Sequence, residues 1–339
     1  MKYSENHLDE AVKIGIFSAD QAVLFRSYIL SSNTLTTKSQ KALQHSGGLL
    51  VVFASLWLIT SAWNRFGPIG ILAISALYFI AFLAGGTLAN TKNKMNNAGG
   101  MLVSIAIMVV PFLTYSLLQV FDFWPLAWEY ADYYGWVTGK WLLVEASVLL
   151  VALPLLIKSK FPFIIFLIAF STWFLSMDSI AIVLRTMAIT WNQRAIISIV
   201  FGSITVSAGY AVDLKSQKEF SFWLYLLGLV TLSLGLSVFS NANIFRFILL
   251  GLVNILLIAI ALFLSRNVFL VFGIIGIAQF LCRLSWVYFR GSVLLPFALA
   301  IMGAFLIYAG LFVKKNINRI DTMIKMRLPL FLFNLRPKR

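Results

Sequence analysis

The sequence predicts an all-α fold, a polytopic transmembrane helical bundle of about ten crossings with both termini on the cytosolic side. Three observations predict it. Of the 339 residues, 60% are hydrophobic and 12% charged, with a mean hydropathy of +0.91, an apolar excess that no soluble interior could absorb. Apolar runs of roughly eighteen or more residues recur, the length needed to span a hydrocarbon core. Lysine and arginine then concentrate in alternate connections between these runs.

The elements follow in order. Residues 1–45 predict a cytosolic helical head. His7–Ile14 reads as a short helix stopped by Gly15, and Ser18 can cap a second helix with Gln21 in the reciprocal capping-box position. Leu8, Ala11 and Val12 on the first and Ala22, Val23 and Phe25 on the second would share one apolar seam. So small a seam is weak alone, and the head is expected to lean on the membrane domain or on a cytosolic protein partner. The first strongly apolar run begins only near Gly47, too late for the core of a cleavable secretory signal, so a retained N-terminus is expected.

Residues 46–313 form the expected transmembrane domain. Its runs are Gly47–Trp63, Gly67–Ala89, Ala98–Val120, Trp141–Ile157, Phe161–Val183, Ala195–Val212, Phe222–Phe239, Ile244–Leu264, Val268–Tyr288 and Ser292–Val313. Each is continuously apolar, without the alternation that barrel strands require, so helices are expected. The longest connection, Phe121–Lys140, carries Trp124, Trp128, Tyr130, Tyr133, Tyr134 and Trp136 beside Asp122, Glu129 and Asp132. Rings with a polar tip favour the headgroup zone, which makes this segment an interfacial anchor or, alternatively, a ligand-binding lid. Residues 314–339 form a basic amphipathic tail, with Ile317, Ile320, Met323 and Ile324 on one stripe, expected to lie on anionic lipid headgroups until Pro329 interrupts it.

Orientation follows from the positive charges. With the head inside, the inner side also receives Lys92, Lys94, Lys158, Lys160, Lys215, Lys218, Arg266 and the tail, whereas Arg65, Lys140, Arg185, Arg194, Arg246, Arg283 and Arg290 fall outside. The bias is roughly three to one, which selects both termini inside and an even number of crossings.

Several chemistries lack their residues. The net charge of +15 is scattered singly between apolar runs and forms no basic groove, so no nucleic-acid partner is expected. Cys282 is alone in the chain and reads as a packed apolar residue; His7 and His45 are isolated. No metal or other cofactor is expected. GxxxxGK[ST], GxSxG, HExxH and paired CxxC motifs are missing, and no clear internal repeat appears.

The head, DEAVKIGIFSADQAVLFRSYI, resembles the N-terminal cytosolic helical hairpin of bacterial predicted membrane proteins of the domain-of-unknown-function 2157 type. FWLYLLGLVTLSLGL and FRGSVLLPFALAIMGAFLIYAGLFVKKNINRI are similar to later helices of related multi-spanning proteins. The resemblance covers the head and roughly the last third of the chain; it implies a bacterial inner (plasma) membrane protein and assigns no catalytic residue.

Ionisable groups at membrane depth are costly, and each is a functional candidate. Glu145, Asp178, Arg246 and Arg283 all fall near outer helix ends, where carboxylates and guanidiniums could pair or line an externally open cavity for an anionic substrate or lipid headgroup. Gln119, Asn254 and Gln279, with Tyr115 and Tyr210, would extend a polar pathway inward or form interhelical hydrogen bonds. Pro111, Pro154 and Pro296 mark possible kinks, and Ala81–Gly85, Ser203–Ser207 and Thr205–Gly209 have the spacing of close helix contacts. The leading expectation is a non-enzymatic membrane protein whose head binds a partner. The alternatives are a transporter of a small solute or lipid, using the outer polar cluster, and a membrane enzyme acting on a lipid-linked substrate with Glu145 or Asp178 as general base.

Overall fold

The computed structural model describes residues 12, 14–16, 18–32, 35–91, 96–123, 140–183, 190–215, 218–239, 244–264 and 266–289, with scattered residues between 292 and 308. Among them every regular element is an α-helix. The chain divides into two compact units, Met1–Asn64 and Arg65–Arg339.

In the first unit, Gly15 closes a turn at φ +76, accepted without strain because glycine has no Cβ. Ser18 then starts α1, Ala19–Ser32, by the reciprocal device expected of it. Its backbone N–H donates to Gln21 Oε1 at 3.0 Å, and the Gln21 N–H donates to Ser18 Oγ at 3.2 Å. Val23 and Phe25 of the expected seam are exposed; Leu8 and Ala11 lie outside the described residues. Helical backbone resumes as α2, Leu35–Thr91, but not as one rod. Gly67 leaves the helical region at φ 63, ψ −169, and Pro68 follows without an N–H to donate.

The second unit continues with α3, Asn96–Val120; α4, Lys140–Ser159; α5, Phe163–Val183; α6, Trp191–Leu214; α7, Lys218–Phe239; α8, Ile244–Leu264; and α9, Asn267–Phe289. Seven stretches are long and apolar enough to cross a membrane: Arg65–Asn90, Asn97–Val120, Trp141–Ser159, Phe163–Ile180, Trp191–Leu214, Glu219–Phe239 and Asn267–Trp286. These match seven of the expected crossings to within a few residues. Phe245–Ala261 is a shorter apolar helix, Gly47–Trp63 is helical within α2, and most of Ser292–Val313 lies outside the described residues. So do residues 124–139 of the aromatic connection, Arg185, Arg290 and the tail.

Two packed groups build the unit. Val103, Ile107 and Val110 of α3 meet Val148 and Ala152 of α4 and Ile164 and Leu167 of α5. Tyr225 and Leu229 of α7 meet Leu257, Ala261 and Leu264 of α8 and Phe269 of α9. Ala169 of α5 against Leu224 and Leu227 of α7 joins the two groups.

The closest pair is α6 with α7. A Cβ added at Gly202 would stand 2.7 Å from the Gly228 carbonyl oxygen, and one at Gly235 would stand 2.7 Å from that of Ala195. Such proximity needs small residues, since between lipid-solvated helices only dispersion and hydrogen bonds drive association. Thr205 and Gly209 belong to this ridge, as their spacing suggested. Ser203 and Ser207 do not: they face outward and donate back to the Ile199 and Ser203 carbonyls. A four-residue spacing defines a stripe but not which side it faces.

The outer surface is strongly apolar, with Leu150 75% and Ile157 77% exposed, while Ser75, Ser104, Ser116 and Ser171 are buried. The buried hydroxyls of Ser75 and Ser104 donate to the Ile71 and Gly100 carbonyls, which satisfies them without a partner helix. Apolar outside and small-polar inside is the arrangement hydrocarbon favours. Pro111 and Pro154 lie within α3 and α4, and non-helical backbone falls at Gly67, before Pro68. One expectation needs correction. Cys282, expected to be packed, is exposed, because it sits on the outward face of α9.

Candidate functional site

Helix α6 provides a ruler. From Arg194 to Asp213 it advances about 28 Å at 1.5 Å per residue, close to the thickness of a hydrocarbon core. Charged groups gather at both ends, in opposite arrangements.

The first end is built where α4 and α6 begin and α5 and α7 finish. The start of α6 is set by a capping box in which Thr190 N–H donates to Gln193 Oε1 at 2.8 Å and Gln193 N–H donates to Thr190 Oγ1 at 3.3 Å. Arg194 follows directly. On α4, Trp141 and Glu145 are one turn apart and share a face. On α5, Trp173, Phe174, Met177 and Asp178 occupy the last turns. Together with Trp191 and Arg194 of α6 and Ser237 and Val238 of α7, Trp141, Trp173, Phe174, Met177 and Asp178 line a cavity of about 380 Å³.

The scaffold around it is pinned by hydrogen bonds between helices. Ser171 Oγ of α5 donates to the Glu145 carbonyl of α4 at 2.9 Å, Thr114 of α3 donates to Ser147 of α4 at 2.7 Å, and the Trp173 indole donates to Ser198 of α6 at 3.2 Å. Tyr115 stacks on Trp141, their centroids 6.2 Å apart. Positions on rigid, cross-tied helices are held more accurately than positions on loops.

Glu145 is 7% exposed, its side chain meets that of Asp178, and its Oε2 has no hydrogen-bond partner among the described residues. Asp178 also feels the positive charge of Arg194. The four residues grouped from the sequence are therefore distributed differently. Glu145 and Asp178 meet, with Arg194 as the nearby cation. Arg246 places its guanidinium 4.2 Å from the Phe239 ring centre, and Arg283 lies 5.2 Å from that of Phe247. Arg194 was counted in the sequence only as an outer flanking charge; the Thr190-x-x-Gln193 signature that fixes the first turn of α6 was the signal that could have placed it.

The polar pathway residues also have defined places. Gln119 Nε2 donates to the Tyr115 hydroxyl at 2.8 Å within α3. Gln279 of α9 exchanges hydrogen bonds with Ser237 of α7 at 2.8 and 3.0 Å. Asn254 is buried in α8, donates to the Leu250 carbonyl at 2.8 Å and fills the slot left by the absent side chain of Gly276. Tyr210 packs beside the α7–α9 core.

Sequence reasoning missed the opposite end. Asp213, in the last turn of α6, is 0% exposed and forms an ion pair with Arg266, which precedes α9 and is 24% exposed. Arg266 Nε donates to Asp213 Oδ2 at 2.9 Å, and its second nitrogen contacts Oδ1. Ser221 Oγ and the Tyr225 hydroxyl of α7 each donate to the same carboxylate at 3.3 Å. Both oxygens are thus satisfied. The partners stand 53 residues apart, so no local pattern announces them.

No group of three His, Cys, Asp or Glu residues able to hold a metal occurs among the described residues. Chemically, the first end offers a wide aromatic lining, a carboxylate at the wall with a second behind it, and one guanidinium. A scan against protein-family models, a search of curated proteins and a search of solved structures each return no match for this chain.

Proposed function

We propose that the chain is a non-enzymatic, multi-pass bacterial inner-membrane protein that admits a small solute into the cavity at the Glu145 end, as a transporter's binding chamber does. The observation that carries this is the cavity itself. It is of ligand size, lies near one end of a membrane-length helix, and has charged and aromatic groups converging on it. The full count of about ten crossings adds Gly47–Trp63, α8 and Ser292–Val313 to the seven qualifying stretches. Lys158, Lys160, Lys215 and Arg266 collect at the Asp213 end, which supports a cytosolic position for that end and an outward-facing cavity. The resemblance of the head to bacterial hairpins supports the compartment.

Cysteine accessibility tests this reading. In a Cys282→Ser background, Ser237→Cys should react with a membrane-impermeant maleimide in intact cells, and Lys215→Cys only after permeabilisation. Protection of position 237 in both conditions would remove the water-filled cavity, and labelling of 215 in intact cells would reverse the orientation.

A further inference from the structure

Resting on the solute-binding reading above, we infer that the cavity selects a small organic cation, a molecule bearing an ammonium or alkylammonium group. Charge, lining and an unsatisfied atom point the same way. Two acidic groups, Glu145 and Asp178, meet beside one guanidinium, Arg194, so among the described residues acids outnumber bases in a site walled largely by carbon. An anion entering here would find a single guanidinium already beside Asp178, whereas a cation finds the carboxyl oxygens of two acids.

The aromatic lining supplies the second recognition element. Trp141, Trp173, Trp191 and Phe174 line the cavity, and tryptophan is the best of the side chains that attract cations to the face of a ring. Alkylammonium groups suit such walls because their charge is spread over methyl groups that favour contact with rings over water. The third element is Glu145 Oε2, buried and without a partner among the described residues, beside the carboxylate that forms the wall. A buried acceptor is costly when unpaired, and an incoming ammonium removes that cost directly or through Asp178.

The full chain in lipid nanodiscs, titrated calorimetrically with tetramethylammonium chloride and separately with sodium phosphate at matched ionic strength, tests this. Saturable heat is expected with tetramethylammonium alone. Asp178→Asn and Trp173→Leu should each weaken it about tenfold, corresponding to the loss of one desolvated cation contact. Trp173→Phe should restore part of the affinity, which a packing defect would not explain. Arg194→Gln removes the competing positive charge and should keep or tighten binding.

Saturable phosphate binding that disappears in Arg194→Gln, without tetramethylammonium binding, would overturn the cation assignment and leave the solute-binding cavity standing. Absence of binding by either probe would also overturn the assignment. Failure of the underlying reading is seen separately, as a sealed position 237 in the labelling experiment.

Discussion

The two ends of α6 use the same residue types to opposite effect. At the Asp213 end a carboxylate is completely buried, both of its oxygens are occupied by Arg266, Ser221 and Tyr225, and three helical segments are tied together. At the Glu145 end a carboxylate almost as deeply buried keeps one oxygen unpartnered among the described residues, beside an open cavity. The comparison separates a group that serves the fold from one that the fold must carry. Satisfied polar networks rigidify, whereas unsatisfied buried groups persist where something other than stability retains them.

Substitutions at the two ends should therefore diverge. The largest effect is expected from Asp213→Ala, which strands the Arg266 guanidinium and should cost about 3–5 kcal/mol, nearer the lower figure if the half-open arginine reaches water. Thermal unfolding of the purified protein in detergent measures it, and adding Arg266→Met should recover a substantial part. If Asp213→Ala melts like the parent, the ion pair is not the clasp described here.

Next comes Gly202→Ala, whose new Cβ would press on the Gly228 carbonyl and Thr231; overpacking of this kind costs about 1–3 kcal/mol. It reads the α6–α7 contact that connects the two ends, and an unchanged melting temperature would mean that the helices can separate freely. Ser237→Ala, which removes the tie between α7 and Gln279 beside the cavity, should cost only about 0.6 kcal/mol, the usual value for such a bond within a membrane.

The smallest effect is expected for Glu145→Gln. Exchanging a buried carboxyl group whose Oε2 lacks a partner among the described residues for an amide of the same shape should shift stability by less than about 0.5 kcal/mol, or raise it. The same variant should lose tetramethylammonium binding. A loss of stability as great as that of Asp213→Ala would show that both ends follow one design and that Glu145 is structural.

Much of the architecture is legible in the sequence. Seven apolar runs became helices with nearly the expected ends, because twenty consecutive apolar residues leave a chain few alternatives in lipid. The Ser18–Gln21 capping box was equally plain, since donor and acceptor stand three residues apart. The site was legible only in part. Glu145 and Asp178 stand out by their position along the helices, but that Arg194 is the cation beside Asp178 does not, and Arg246 and Arg283 lie over Phe239 and Phe247. Depth along a helix follows from counting residues; the azimuth of a side chain and the identity of the neighbouring helix do not. Ser203 and Ser207 illustrate the same gap, having the spacing of a contact stripe on the face that turns away.

By itself, then, the sequence determined the helical class, the approximate ends of seven apolar helices and the position of Glu145 and Asp178 along theirs, consequences of short-range hydrogen bonding and of the length of the apolar runs. Only the tertiary structure decided that Asp213 closes on Arg266, that Glu145 meets Asp178, and that glycines bring α6 and α7 together. The physical reason is that apolar helices gain little from one packing partner over another in lipid. Small residues and a few polar bonds far apart in the chain make the choice.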